Sequence, residues 1–172
     1  MRIPQYMIGN DLSLADFDAI EALLRTSYWA STRSREVIEA TFRSPASIPF
    51  FVLDLGARAS PPAVAEGDKV RAGGDARAPR GDTPRTVGFG RVVTDRLTIG
   101  WLCDVMIHPD HRGNGVGKLL VGSILNHPDL NKPGVRLMLG TKDAHGLYEQ
   151  FGFFRRELMW RHPMGAAQAE GF

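Results

Sequence analysis

The stretch DVMIHPDHRGNGVGKLLVGSIL, residues 104–125, combines residue types that could bind an anion. A β-branched and apolar run stops at a proline, a basic glycine-rich loop follows, and an amphipathic pattern then begins. The first backbone N–H groups of a helix have no internal partner and lie at the positive end of its dipole, so they attract phosphate groups. Glycines let a ligand approach the backbone, and basic side chains add charge. The predicted anion-binding loop comprises Arg112, Gly113, Asn114, Gly115, Val116, Gly117 and Lys118.

The pattern Arg-x-x-Gly-x-Gly/Ala is short, and it also occurs at Arg71 and at Arg85. Only the match at Arg112 runs from a strand through a loop into a helix, so only this one can direct free amides at a phosphate. A Walker A loop needs a hydroxyl residue after its lysine, whereas here a leucine follows Lys118. The glycine spacing and the late position in the chain also exclude a dinucleotide fingerprint.

Apolar periodicity predicts an α+β domain whose mostly antiparallel sheet turns parallel near its fourth strand. The first helix is expected to begin at an N-cap, Ser13, and the second at Ser34. A tight hairpin turn is expected between the third and fourth strands. In chain order the predicted elements are a strand at 4–11, helices from 14 and from 35, strands at 47–56, 85–95 and 97–107, a helix at 117–127, a strand at 134–141, a helix at 143–152 and a strand at 153–161.

Residues 56–85 interrupt this plan, because they are rich in Gly, Ala and Pro and contain no aromatic residue. Such a segment buries too little apolar surface to order itself. It is therefore expected to be a flexible insert in a single domain spanning residues 1–172, either as a mobile hairpin loop, as a flap over a substrate site or as an oligomer contact.

Composition limits the classes of function. The chain has 172 residues, 43% of them hydrophobic, and a formal net charge of +2, which is too small to indicate nucleic-acid binding. The single cysteine, Cys103, lies in an apolar run and is expected to be a buried thiol, and one cysteine allows no internal disulfide. The sequence shows neither a transmembrane run nor a signal peptide, so a cytoplasmic protein without a membrane partner is expected.

Two segments of the sequence resemble the GNAT superfamily of acyl-CoA N-acyltransferases. The segment DVMIHPDHRGNGVGKLL is similar to motif A of that family, and DAHGLYEQFGFF is similar to its motif B, in which a short helix carries a tyrosine ahead of Gly-Phe. The resemblance covers residues 97–154. It implies a GNAT fold, with a mixed, mostly antiparallel sheet of about six to seven strands flanked by about four helices.

The resemblance also implies that acetyl-CoA is the donor and that a substrate amine attacks the thioester directly. The loop from Arg112 would hold the pyrophosphate, and Tyr148 would protonate the leaving thiolate, since a phenol is protonated at neutral pH. Many relatives have an asparagine where this chain has Thr141, which could make a similar hydrogen bond to the pantetheine arm. The backbone expected to pair with that arm, at a bulge or splay of the sheet, is that of Val105, Met106 and Ile107.

Two residues are candidates for the general base that neutralises the amine. Asp104 lies on the coenzyme strand just before the expected splay, where a carboxylate could accept a proton directly or through water. His145 lies one helical step from Tyr148 and could share its face, although a surface or capping role is favoured. His108 and His111 flank the loop, but no further ligands with supporting spacing indicate a metal, so no metal is expected.

The resemblance implies that the acceptor lies over the first two helices, where the sequence reads SYWASTRSRE. Tyr28 and Trp29 offer flat apolar walls. Arg33 and Arg35 could hold a carboxylate or phosphate on the acceptor, or could simply be solvated. The predicted activity is acetyl transfer to a primary amine of a small molecule or peptide. The alternative is an acyl-CoA-binding sensor or assembly module, and the family resemblance makes a homodimer possible.

Overall fold

The computed structural model describes residues 5–56 and 85–159. Its centre is a five-stranded sheet in the order β1-β2-β3-β4-β5. The first four strands are antiparallel, and β5 runs parallel to β4. The strands are β1 (Tyr6–Gly9), β2 (Ser47–Asp54), β3 (Arg85–Thr94), β4 (Ile99–Ile107) and β5 (Arg136–Leu139), and the helices are α1 (Phe17–Leu24), α2 (Arg35–Arg43), α3 (Val116–Leu125) and α4 (His145–Glu149), with 3-10 turns at Leu12–Leu14 and Pro109–His111.

This architecture confirms the α+β class and the change from antiparallel to parallel pairing at the fourth strand. The described residues contain five strands rather than six or seven. The strand predicted at 153–161 is not formed over its described part, 153–159. A strand requires a partner for its N–H and C=O groups. Among the described residues no strand pairs with this segment, and its Phe154 and Met159 side chains are exposed.

The start of the first helix also differs from the prediction. Asp16, not Ser13, caps α1, because its Oδ1 accepts a hydrogen bond from the Ala19 N–H at 3.0 Å. Ser13 lies in the preceding 3-10 turn, where its own N–H donates to Asp11. The predicted cap at Ser34 is confirmed. Both caps satisfy amides that a helix start leaves free.

The helices cover both faces of the sheet. Side chains alternate along β2, so Phe50 and Val52 face one core and Phe51 faces the other. The helices α3 and α4 contribute to the first core, and α1 and α2 contribute to the second. This double cover explains why β2 reads as a nearly continuous apolar run, and it holds the central strands rigidly.

Most of the insert predicted to be flexible, residues 57–84, lies outside the described residues, as does the tail from residue 160, so that expectation stays a prediction. Within the two described ranges, no helix is long and apolar enough to cross a membrane.

Candidate active site

The strand β4 has a free edge beside β5. The two strands pair only from Ile99 to Leu102, where Leu102 lies opposite Leu139. There β5 ends, but β4 continues for five more residues to Ile107. In the described part of the chain no strand pairs with this edge. Backbone groups there can bind an extended ligand arm as an added strand would.

A β-bulge lies in the same half of β4. Phe89 pairs with Met106 and Arg91 pairs with Cys103, so two residues of β4, Asp104 and Val105, lie opposite the single Gly90 of β3. Asp104 has a left-handed backbone with φ of 51°. A Cβ at position 90 would approach the Val105 Cγ2 to 3.3 Å, which explains a glycine opposite the bulge. The predicted bulge is therefore confirmed.

The glycine-rich loop joins the far end of this free edge to α3. Gly113 and Gly115 have φ of 76° and 78°, a backbone conformation that favours glycine. The Arg112 Nε donates to the Ile107 carbonyl oxygen at 2.9 Å and so ties the loop to the end of β4. A Cβ at position 113 would meet no atom within 4 Å, so the space beside this glycine is open.

The start of α3 presents amides that have no acceptor within the helix. The first helical hydrogen bond there runs from the Leu119 N–H to the Gly115 carbonyl at 3.0 Å. The N–H groups of Val116, Gly117 and Lys118 therefore lie free at the positive end of a ten-residue helix. The Val116 side chain is buried in the core, so only its backbone can serve a ligand. This geometry suits a pyrophosphate.

A cleft of about 330 Å³ opens beside the bulge, at the other end of the free edge. It is lined by the connection between α1 and α2, by β3 and β4, and by the segment from β5 into α4. The fold thus gathers residues that are far apart in the chain. Of the predicted site residues, the cleft is lined by Tyr28, Trp29, Arg33, Asp104, Val105, Thr141 and Tyr148.

Asp104 is the most constrained of these residues. Its carboxylate is buried, and its Oδ2 accepts hydrogen bonds from the Arg91 Nε at 2.7 Å and from an Arg33 guanidinium nitrogen at 3.0 Å. Its Oδ1 accepts from the Trp29 Nε1 at 3.1 Å. Burial pushes the pKa of Asp104 upward, but the two arginine charges and their hydrogen bonds outweigh burial and lower the pKa.

These contacts argue against Asp104 as the general base. A carboxylate with a lowered pKa is a weak proton acceptor, and both oxygens already have donors. The carboxylate instead fixes the α1–α2 connection against the sheet, since it joins Trp29 and Arg33 to β3 and β4. Trp29 and Arg33 are thereby held in the wall of the cleft.

The second predicted arginine of this connection has another role. Arg35 pairs with Asp18, Glu21 and Glu39, and these hydrogen bonds raise the pKa of its guanidinium. A guanidinium that is already bound to three carboxylates has little to offer an acceptor anion. These contacts argue against Arg35 as a substrate contact, whereas Arg33 lines the cleft and keeps 22% of its side chain exposed.

Tyr148 lies on α4 with its side chain buried. Burial, together with the charge of Asp143, raises the pKa of its phenol to about 12. The ring packs edge-to-face against Phe153 at 5.8 Å between centroids. Thr141 fixes the turn into α4, because its Oγ1 accepts from the Ala144 N–H at 3.0 Å. The Thr141 hydroxyl proton can still be donated.

The histidines contribute less to the cleft. His111 shares a hydrogen bond of 2.9 Å with the Tyr6 hydroxyl, and the His108 Nδ1 accepts from the Asp110 N–H at 3.3 Å. His145 begins α4 but is not among the cleft residues. Within the described ranges no group of three His, Cys, Asp or Glu side chains is placed to hold a metal ion.

Among the cleft residues that the reasoning from sequence missed, four have charged, aromatic or sulfur-containing side chains. Arg91 is a charged residue in the middle of an apolar strand, which is a signal of a buried ion pair. Cys103 is half-buried in the cleft wall rather than fully buried, and burial raises the pKa of its thiol. Trp101 and Asp143 carry no local signal, because only the fold brings them to the cleft.

Comparison with known proteins supports the family resemblance that the sequence motifs show. Residues 80–155 match the family model described as an acetyltransferase (GNAT) domain. A Gibberella zeae protein, named as a candidate acetyltransferase, is 31% identical over 146 residues, which are 83% of this chain and 75% of that protein.

Solved structures have the same fold. A GNAT-family protein from Xanthomonas campestris pv. campestris superposes with a TM-score of 0.69 at 28% identity, covering 98% of this chain and all of the other. Protein SA2161 of Staphylococcus aureus superposes with a TM-score of 0.63 at 20% identity, covering 92% of this chain and 99% of the other, and so supports the fold alone. The chain belongs to the GNAT family of acetyltransferases.

Proposed function

We propose that the protein transfers an acetyl group from acetyl-CoA to a primary amine of a small molecule or peptide, within a ternary complex of enzyme, donor and acceptor. The observation that carries this proposal is the free edge of β4, which runs from the glycine-rich loop at one end to the Tyr148 cleft at the other. An extended donor needs an anion site at one end and a reaction chamber at the other. This edge connects the two.

The residues present fit such a donor. The free amides of Val116, Gly117 and Lys118 suit the pyrophosphate, and the charges of Arg112 and Lys118 favour it further. Gly113 leaves the backbone open, and the side chain of Asn114 is exposed beside it. The backbone of Val105, Met106 and Ile107 can pair with the pantetheine arm along the free edge. The Thr141 hydroxyl can donate to a carbonyl of the same arm.

Bound acetyl-CoA would supply an acetyl thioester at the cleft. Tyr148 is the proposed general acid, because its raised pKa keeps the hydroxyl protonated and able to donate to a leaving thiolate. Arg33 is the proposed contact for a carboxylate on the acceptor, and the rings of Tyr28 and Trp29 form an apolar wall beside it. The ion pair between Asp104 and Arg33 positions this wall rather than taking a proton.

Tyr148→Phe tests the proposal. Removing one hydroxyl keeps the ring and its packing on Phe153, so acetyl-CoA should bind with an unchanged Kd while kcat for acetyl transfer falls by about 10²-fold or more. Calorimetry measures the first quantity, and release of the CoA thiol measures the second. Equal turnover by both proteins would remove Tyr148 as the general acid. Binding of acetyl-CoA with little or no thiol release by the wild type would favour an acyl-CoA-binding module.

A further inference from the structure

The proposed transfer requires a neutral amine, and the described site leaves the proton acceptor unassigned. Asp104 is held by two arginines and a tryptophan, and His145 does not line the cleft. Among the described residues, one other carboxylate lines the cleft, that of Asp143. We propose that Asp143 binds the ammonium group of the acceptor and takes its proton, an inference that rests on the proposed acetyl transfer.

The position of Asp143 supports this role. It lies in the turn between β5 and α4, which the hydrogen bond from the Ala144 N–H to the Thr141 Oγ1 holds in place. It lines the same cleft as Tyr148, five residues further along the chain. Its charge helps to raise the pKa of Tyr148, which is a sign that the two groups lie close together.

The two carboxylates of the cleft differ in their partners. Asp104 forms ion pairs with Arg33 and Arg91. Among the described residues Asp143 forms no ion pair, and the ammonium of its neighbour Lys142 lies 5.7 Å from the centre of the Tyr28 ring. An unpaired carboxylate in a cleft attracts a cation, whereas a paired one does not.

The charges of the cleft also fit an ammonium ion at this position. Arg33 and Arg91 together exceed the charge of Asp104 by one unit, so that part of the lining is positive, and Asp143 adds a negative charge from the segment between β5 and α4. The Tyr28, Trp29 and Trp101 rings lie in the same lining. A protonated primary amine would therefore be drawn toward Asp143 and away from the arginines.

The protons balance in the following way. The ammonium gives one proton to the Asp143 carboxylate, which passes it to solvent. The neutral nitrogen then forms the C–N bond to the acetyl carbon while the C–S bond breaks, and the thiolate sulfur takes the Tyr148 hydroxyl proton. The new amide nitrogen loses a second proton, which returns through water to the Tyr148 oxygen. The products are the amide, free CoA thiol and one released proton.

The test compares two amines of similar size and different basicity, ethylamine and 2,2,2-trifluoroethylamine, with acetyl transfer followed by thiol release at neutral pH. Ethylamine arrives as an ammonium ion, whereas the fluorinated amine arrives largely neutral. Asp143→Asn should lower kcat/KM for ethylamine by about 10² to 10⁴-fold and lower that for the fluorinated amine by less than about tenfold. Asp143→Glu should restore part of the loss.

The control is Asp18→Asn, which removes an exposed carboxylate whose partner Arg35 keeps Glu21 and Glu39. It should leave both rates unchanged, and all variants should bind acetyl-CoA like the wild type. The assignment of Asp143 would be overturned if Asp143→Asn lost kcat/KM equally for both amines or for neither. It would also be overturned if the wild type bound acetyl-CoA but acetylated neither amine. A wild type that fails to bind acetyl-CoA would overturn the proposed transfer itself.

Discussion

The buried ion pairs of Asp104 lead to a quantitative prediction for Asp104→Asn. Asparagine keeps the shape of the side chain and can still accept from the Trp29 Nε1. It also tolerates the left-handed backbone that this position requires, with φ of 51°. The substitution therefore removes the negative charge and little else, and it leaves the charges of Arg33 and Arg91 without their partner.

Removing one partner of a buried pair typically costs about 3 to 5 kcal/mol. One feature of the site sets the expected loss toward the lower end of this range. Arg33 retains 22% exposure and can turn toward water, whereas Arg91 at 11% cannot. We therefore expect the free energy of unfolding at neutral pH to fall by about 3 kcal/mol. Urea denaturation measures this loss, and an unchanged m-value would show that the denatured state is unaltered.

The stability that the Asp104 carboxylate contributes depends on pH. The folded pKa of Asp104 is lowered, so its charge contributes stability that is fully present above the unfolded pKa of about 3.9. That contribution is lost as the pH falls through the folded pKa. The asparagine variant has no such group to titrate. The gap in stability between the two proteins should therefore be largest at neutral pH and narrow below about pH 4.

Asp129→Asn is the matched control, because its partners Lys132 and Arg96 are about half exposed. This variant should lose little stability, because solvent screens exposed ion pairs. Asp104→Asn could instead lose less than about 1 kcal/mol of unfolding free energy, or its stability difference from the wild type could stay constant from pH 7 to pH 3. Either result would refute the claim that Asp104 is a buried, ionised carboxylate that stabilises the fold.

Two further predictions concern the cleft. Arg33→Ala should raise the KM of a carboxylate-bearing amine by about tenfold or more and leave the acetyl-CoA KM unchanged. The control Arg25→Ala removes an exposed arginine paired with Glu21 and should change neither KM. Steady-state kinetics with both substrates measures these values, and an unchanged acceptor KM in Arg33→Ala would remove Arg33 from the site. The pKa of Tyr148 is raised to about 12, so its hydroxyl stays protonated through the alkaline range. The rate of acetyl transfer by the wild type should therefore not fall from loss of this acid up to about pH 10. A rate that falls below that pH in the wild type but not in Tyr148→Phe would contradict the raised pKa.

The loop and the helices were predictable because their signals are local. Gly113, Gly115 and the following apolar stripe lie within one short stretch, and the free amides at a helix start follow from helix geometry alone. The cap at Ser34 was found for the same reason. The choice of Ser13 over Asp16 failed because both residues can cap, and which one does depends on where the preceding turn ends.

The cleft was less predictable because it depends on contacts between distant residues. Trp29 and Asp104 are separated by 75 positions, and their hydrogen bond exists only once α1, α2 and the sheet have packed. The pairing of Arg91 with Asp104 further depends on the bulge, which shifts the register of β4. Asp104 was therefore identified as a site residue from its position, but its ion-paired state could not be read from the sequence.

The most direct test of the central claim is calorimetric binding of acetyl-CoA to the wild type and to Gly115→Glu. The variant places a carboxylate and a Cβ at the helix start, where the proposed pyrophosphate would lie, so binding should be lost. Gly134→Glu, with the same charge and a positive φ of 91° away from the loop, controls for backbone strain and should bind like the wild type. If Gly115→Glu binds acetyl-CoA as tightly as the wild type, or if the wild type does not bind it, the proposed pyrophosphate site in this loop is contradicted.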